Sequence, residues 1–273
     1  MDLFGFSVWE VAVRLALGLA IGFCIGLTGV GGGVLGLQAM TLVLKMEPVT
    51  AVGTTGLYIF LTKISATFHH AGLRNIDWKV SARILAGALP ANLLVAWWVS
   101  REGGSAEFVE ALEVFIVSVV LLAAAMMILN TATRLKTRVE QKERTLAAKI
   151  EEHRIWGMVF PLVAGALLGG IIGATSLGGG CLIVPVLVAG FGLAAQRAVG
   201  SSIFIALFLT LVTAVVYGKE GEVVLSTAAT MAAGSLVGVR FGSMFSVRLS
   251  EQVLRFVVVG LILVAAGIMV LSR

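Results

Sequence analysis

Two stretches of the chain carry a glycine triplet inside an otherwise apolar segment. The first reads Gly26-Leu27-Thr28-Gly29-Val30-Gly31-Gly32-Gly33, the second Gly173-Ala174-Thr175-Ser176-Leu177-Gly178-Gly179-Gly180. Each glycine weakens a helix by roughly 1 kcal/mol relative to alanine. Glycine also reaches positive φ, so consecutive amides can turn into one concavity. A helix restarting near Val34 or Cys181 then presents unpaired N–H groups and the positive end of its dipole. At membrane depth such backbone is tolerated only where it lines a cavity or meets a ligand. The chemistry on offer is recognition of an anion by backbone amides around Gly31, Gly32, Gly33, Gly178, Gly179 and Gly180. Close helix packing, the other use of small residues in membranes, competes with that reading.

Hydroxyl pairs stand nearby in matched places. Thr54 and Thr55 follow Gly53, and Ser201 and Ser202 follow Gly200. Thr28 and Thr175 sit within the glycine motifs. Such hydroxyls can donate to an anion, or bond back to helix carbonyls. Ionisable side chains inside apolar segments are functional candidates by default. Lys63 lies midway along such a segment, where it could attract an anion or carry a proton, unless it snorkels to an interface. His69 and His70 end the same segment and could titrate near neutral pH, or simply be solvated. Arg83 and Arg240 are expected near segment ends, snorkelling or touching lipid phosphate, and Asn92 is expected to bridge helices. Trp97-Trp98 reads as an interfacial belt. Cys24 and Cys181 read as small buried hydrophobes. A role in handling sulfur oxyanions is the alternative for them, and would make the protein a membrane enzyme.

The elements that must position these groups are membrane helices. The chain has 273 residues, 59% hydrophobic and 13% charged, with mean hydropathy +1.03. A soluble domain carries about 25% charged residues. Apolar segments fall at about 9–29, 33–46, 49–70, 79–100 and 108–129, then 155–176, 180–193, 197–217, 223–246 and 252–271. Long uninterrupted apolar runs predict helices rather than the alternating strands of a barrel. The second segment of each half is too short to span upright, a length that suits a re-entrant half-helix. A basic stretch, 130–154, separates a first repeat (1–129) from a second (155–273) and reads as a solvated linker.

The halves match at a fixed offset of 147 residues, from Gly26 to Gly173. Ala51-Val52-Gly53-Thr54-Thr55 thereby meets Ala198-Val199-Gly200-Ser201-Ser202, and Gly87 meets Gly234. Five segments per half would invert the second copy. The charges agree: with the linker cytoplasmic, Arg74, Lys79, Arg197 and Arg248 share its side, while Asp2, Glu10, Arg101 among Glu102, Glu107 and Glu110, and Lys219 beside Glu220 fall opposite. Two exceptions in register are Gln38 against Pro185 and Lys63 against Thr210. No carboxylate pair at membrane depth, His-Glu-x-x-His or Walker sequence occurs, so neither an enzyme nor a nucleotide-driven pump is expected, and no cofactor or metal.

The two Gly-Gly-Gly elements, Pro185 five residues after Gly180, and the paired Ala-Val-Gly-Ser/Thr-Ser/Thr blocks resemble the TauE/SafE sulfite exporter family. The second half adds Gly234-Ser235-Leu236-Val237-Gly238 and Gly242 before Arg248. In the first half Gln38 replaces the proline and could donate a hydrogen bond. The resemblance implies an inner-membrane carrier of sulfite, organosulfonates or related small anions. The expected protein is therefore all-α, a polytopic membrane protein of two inverted repeats of about five helices each. It would be a secondary transporter, with the lipid bilayer and a small anion as partners, protons as a coupling ion and no nucleic acid. Access would alternate by one repeat rocking against the other.

Overall fold

A computed structural model describes residues 7–28, 32–102, 105–136, 156–177, 180–246 and Gly260. Among them all regular structure is helical. Helix α1 (Val8–Thr28) is followed by α2 (Gly32–Gln38), which passes into a π-helical turn over Ala39–Val43. Next come α3 (Pro48–Gly72), α4 (Trp78–Glu102) and α5 (Ala106–Lys136). The second half contributes α6 (Trp156–Thr175), α7 (Gly180–Phe191), α8 (Ala195–Lys219) and α9 (Leu225–Ser246). The polar stretch 130–154 begins as the end of α5, and from residue 137 it lies outside the described residues. So does segment 252–271, apart from Gly260.

Among the described residues four helical stretches are long and apolar enough to cross a membrane: Val8–Gly26, Pro48–Gly72, Trp78–Glu102 and Gln196–Lys219. The glycine triplets open the shorter ones. Helix α7 has 12 residues, as does α2 with its π turn, Gly32–Val43. At 1.5 Å per residue each reaches about 18 Å, short of a hydrocarbon core of roughly 30 Å. Both are also irregular at one register position. The π turn starts immediately after Gln38, and Pro185, the residue at the same place in α7, interrupts that helix from inside.

Glycine brings the long helices together. Helix α1 packs along α9 and α4 along α6, the two most extensive helix contacts, with α3 against α8 next. A Cβ placed on Gly18 would fall on the Met231 backbone, and one on Gly22 on that of Ser235. The same contacts recur with both partners moved by 147: Gly165 on Ile84 and Gly169 on Ala88. Gly234 against Leu15 likewise repeats as Gly87 against Leu162. Backbones this close allow no side chain between them. Leu93, Leu94, Leu162, Val163 and Leu167 point outward, an apolar exterior suited to lipid.

Helix ends repeat in the same register. The Asn75 amide bonds to His70 O at 3.0 Å and the Glu222 amide to Tyr217 O at 2.8 Å. Before them stand Arg74 at φ 55° and Gly221 at φ 85°, and the earlier pair is Lys45 at φ 53° and Gly192 at φ 63°. Left-handed backbone is strained for a residue with a Cβ and free for glycine. Lys45→Gly and Arg74→Gly should each therefore raise stability by about 1 kcal/mol, read as a higher melting temperature in detergent. Unchanged or lowered melting would show that these side chains hold their turns.

Candidate functional site

At each glycine motif one described helix ends and a short one follows. Thr28 ends α1 and Gly32 opens α2; Thr175 ends α6 and Gly180 opens α7. Gly31, Gly178 and Gly179 lie outside the described residues, as do the side chains of Thr28, His69 and Cys181. Gly33 is buried, and Gly32 is pressed against the Ile25 side chain. On the second break Ser176 is fully buried and left-handed at φ 48°. Its amide closes the last turn of α6 on Ile172 O at 2.7 Å.

A proton count separates the candidate hydroxyls. An anion needs donors, and a hydroxyl has one proton. Thr175 gives its proton to Ile171 O at 2.7 Å and Ser202 to Val199 O at 2.8 Å. Thr55 donates to Met40 Sδ at 3.1 Å. Those three are committed to the fold, as back-bonding predicts. Thr54 and Ser201 behave differently. Thr54 Oγ1 accepts the Val224 amide at 3.1 Å, and Ser201 Oγ accepts the Asp77 amide at 2.9 Å. Val224 and Asp77 again differ by 147 positions, and each precedes the start of α9 or α4. An acceptor hydroxyl keeps its proton, and among the described residues neither proton meets an acceptor.

Gln38 is a further unsatisfied group among the described residues, alongside the Thr67 and Ser81 hydroxyls. It is 2% exposed, and among the described residues neither Oε1 nor Nε2 has a hydrogen-bond partner. Leaving such a group unpaired costs about 1–3 kcal/mol. The Ser176 hydroxyl shares this condition. Lys63 and His70 are half-buried on α3, whereas Thr210, the mate of Lys63, is buried and donates to Ala206 O at 2.7 Å. Cys24 is half-buried on α1 and is not in a disulfide. Among the described residues no cluster of His, Cys, Asp or Glu could hold a metal ion.

Asn92 bridges helices as its place in an apolar segment led us to expect. Its Nδ2 donates to Gly169 O and Thr213 Oγ1, both at 3.2 Å, tying α4 to α6 and α8. Trp97 is exposed and carries Arg101 over its ring at 4.6 Å. Arg101 Nε also faces Glu220 at 3.7 Å.

Sequence reasoning overlooked four residues. Arg14, 8% exposed, donates from Nε to Thr227 Oγ1 and from Nη1 to Glu10 O, both at 3.0 Å. An arginine within the first apolar segment was signal enough. The chain has two tyrosines, both in apolar segments and both fully buried. Tyr58 reaches Ser235 Oγ at 3.2 Å and Tyr217 reaches Gly173 O at 3.1 Å. Ser176 gave no separate signal, because its repeat mate is Gly29.

A multi-pass helical membrane protein with two short apolar helices and buried neutral donors has the makings of a membrane transporter. The chain belongs to the sulfite exporter TauE/SafE family, whose sequence profile matches residues 14–269. A probable membrane transporter protein of Bacillus subtilis (strain 168), YjnA, is 28% identical over 92% of this chain and 96% of its own length. A probable membrane transporter protein of Xylella fastidiosa (strain Temecula1) is 26% identical over 98% of this chain and 97% of its own. One of Haemophilus influenzae (strain Rd) is 30% identical over 73% of this chain and 70% of its own. No solved structure matches the chain. It is a membrane transporter of this family and not an enzyme.

Proposed function

We propose that the chain is a secondary transporter of a small sulfur-containing anion, such as sulfite or an organosulfonate, in a bacterial inner membrane. Its two halves are inverted repeats, and the 130–154 linker is cytoplasmic. The reciprocal contacts support the repeat: Gly22 on Ser235 and Gly169 on Ala88 exchange roles between halves, as a two-fold axis requires. The loop charges supply the argument for inversion.

The anion would lie between the two breaks, met by backbone amides at Gly31 to Gly33 and Gly178 to Gly180, with Gln38 as a side-chain donor. The observation that carries this reading is the matched pair Thr54 and Ser201, each held by a backbone amide with its own proton to give. Thr55, Thr175 and Ser202 would shape the wall rather than donate. Neutral donors suit a small anion that must enter and leave, because transport needs binding weak enough to release. Rocking of one half against the other would shear the α1–α9 and α4–α6 interfaces, each of which joins both halves. The moving bodies are better drawn as those two mixed pairs.

Proteoliposomes loaded with [35S]sulfite, or facing it, test the function. Protein-dependent flux competed by methanesulfonate is expected, and no flux above empty liposomes would remove the reading. Lys63, His69 and His70 would be the groups to carry a coupling proton. Flux that ignores an imposed proton gradient would remove that part alone.

A further inference from the structure

The two ends of the helix bundle are held differently. Arg14 near the start of α1 bonds Thr227 near the start of α9, and Thr50 near the start of α3 donates to Glu222 in the α8–α9 loop. Arg101, at the end of α4, faces Glu220 in the same loop. These contacts define one end. The opposite end is marked by Asp77, just before α4, whose amide meets Ser201 near the start of α8. Helix α6 runs parallel to α4, since Gly165 lies on Ile84, Gly169 on Ala88 and Gly173 on Asn92. It begins at Trp156, so the 130–154 linker enters at that opposite end.

Hydrogen bonds from side chains between helices gather toward the α8–α9 end. Tyr58 and Ser235, which bond each other, each lie ten positions from the start of their helix, about 15 Å along it. Asn92 and its partner Thr213 stand ten and six positions before the ends of α4 and α8. Tyr217, two positions before the end of α8, donates to Gly173 O. Moved by 147, three of these pairs become Pro161 with Val80, Ile205 with Ala88 and Val239 with Ala66. None of those side chains can hydrogen-bond. Both ends keep the caps on Thr54 and Ser201.

Buried hydroxyls show the reverse pattern. Thr67 and Ser81 have no partner among the described residues, and they lie toward the linker end, near the end of α3 and the start of α4. Their mates toward the other end are Ala214 and Ala228, both buried. The Ser176 hydroxyl, also without a partner, sits deeper, beside Gly56. Parting the helices at the α8–α9 end breaks hydrogen bonds at membrane depth, where unpaired polar groups are costly. Parting them at the linker end separates apolar side chains at the matched positions and lets water reach two unpartnered hydroxyls.

We propose that the protein rests shut at the α8–α9 end and opens first at the linker end, with Asn92–Thr213 and Tyr58–Ser235 as the clasp. This rests on the transporter reading above and gives its two gates unequal strength. The repeat supplies two similar gates, and a few side chains present in one half alone decide which is firm. With the linker cytoplasmic, the empty protein meets its anion from the cytoplasm.

Thr67 and Ala214 are repeat mates of nearly equal exposure, 9% and 8%, so a rigid structure would present both alike. Thr67→Cys and Ala214→Cys, each in a Cys24→Ser, Cys181→Ser background, are reacted with a charged maleimide in detergent, where both ends meet water. The thiol at position 67 should react at least about tenfold faster. Tyr58→Phe removes the hydroxyl that bonds Ser235, and Asn92→Val installs the residue found in the other half. Each should speed labelling at position 214 by about fivefold to tenfold, one buried hydrogen bond, and leave position 67 unchanged. Tyr58→Phe keeps the ring and decides alone if Asn92→Val does not fold. Equal labelling of the two positions, or faster labelling at 214, overturns the proposal while sulfite flux keeps the transporter reading intact. Labelling at 214 that ignores the substitutions, or that rises together with labelling at 67, overturns the clasp. Absence of flux in the wild type removes the transporter reading, and these gates with it.

Discussion

Gly169→Ala should lose at least about 3 kcal/mol of stability, while Gly170→Ala one position along should lose nothing and gain up to about 1 kcal/mol. The two substitutions add the same methyl to the same helix. At Gly169 the new carbon lands on the Ala88 backbone of α4, which has no rotamer to move, so the helices must separate along their length. At Gly170 the nearest atom is Val95 Cγ2 at 3.6 Å, an ordinary contact. Only the helix-propensity gain then remains. Size-exclusion profiles and thermal unfolding of the purified variants in detergent decide it. Equal behaviour of the two would mean that close backbone approach does not hold α4 to α6. Gly22→Ala, the same residue in the other half, should fail alongside Gly169→Ala because it meets Ser235 in the same way.

The second large effect concerns transport. Thr54→Val with Ser201→Ala should cut [35S]sulfite flux at subsaturating substrate by about a hundredfold or more, two lost donors at roughly 1.5 kcal/mol each. It should also destabilise, since the Val224 and Asp77 amides lose their acceptors. The conservative exchange separates these effects. Thr54→Ser and Ser201→Thr each install the hydroxyl found at the matching position of the other half. Both should keep the helix caps and flux within about threefold of wild type, a difference below 1 kcal/mol. If the Val/Ala double variant transports normally once folded, these hydroxyls are helix caps and nothing more.

Much of the architecture was legible because membrane helices write themselves as apolar runs. The segment at 49–70 became α3 over Pro48–Gly72, and the 223–246 segment became α9 over Leu225–Ser246. Glycine triplets also marked where short helices begin, at Gly32 and Gly180. Which face a glycine turns to was not legible. Gly169 and Gly170 are identical letters, and only the packed structure shows that one meets backbone and the other a side-chain methyl. The hydroxyls could not be sorted for a similar reason. Whether Thr54 accepts an amide or Thr55 donates to a thioether depends on an adjoining helix, not on the pair itself. Arg14 was legible as a charge inside the first apolar segment. Ser176 needed the backbone angle before it could be separated from its glycine-rich surroundings.

The pairing of α1 with α9 has a consequence for how the protein is made. Helix α1 ends at Thr28, and its partner begins at Leu225. A ribosome adds about 5–20 residues per second, so α1 waits on the order of 10–40 s, at that rate, before its glycine face can be covered. During that interval Gly18 and Gly22 line a groove into which lipid or another small-residue helix can settle. Nor can the first half reach its final form when synthesised alone, since the helix that covers α1 is encoded in the second. Helices α4 and α6 sit much closer in the chain and can pair early, leaving α1 to close the bundle last.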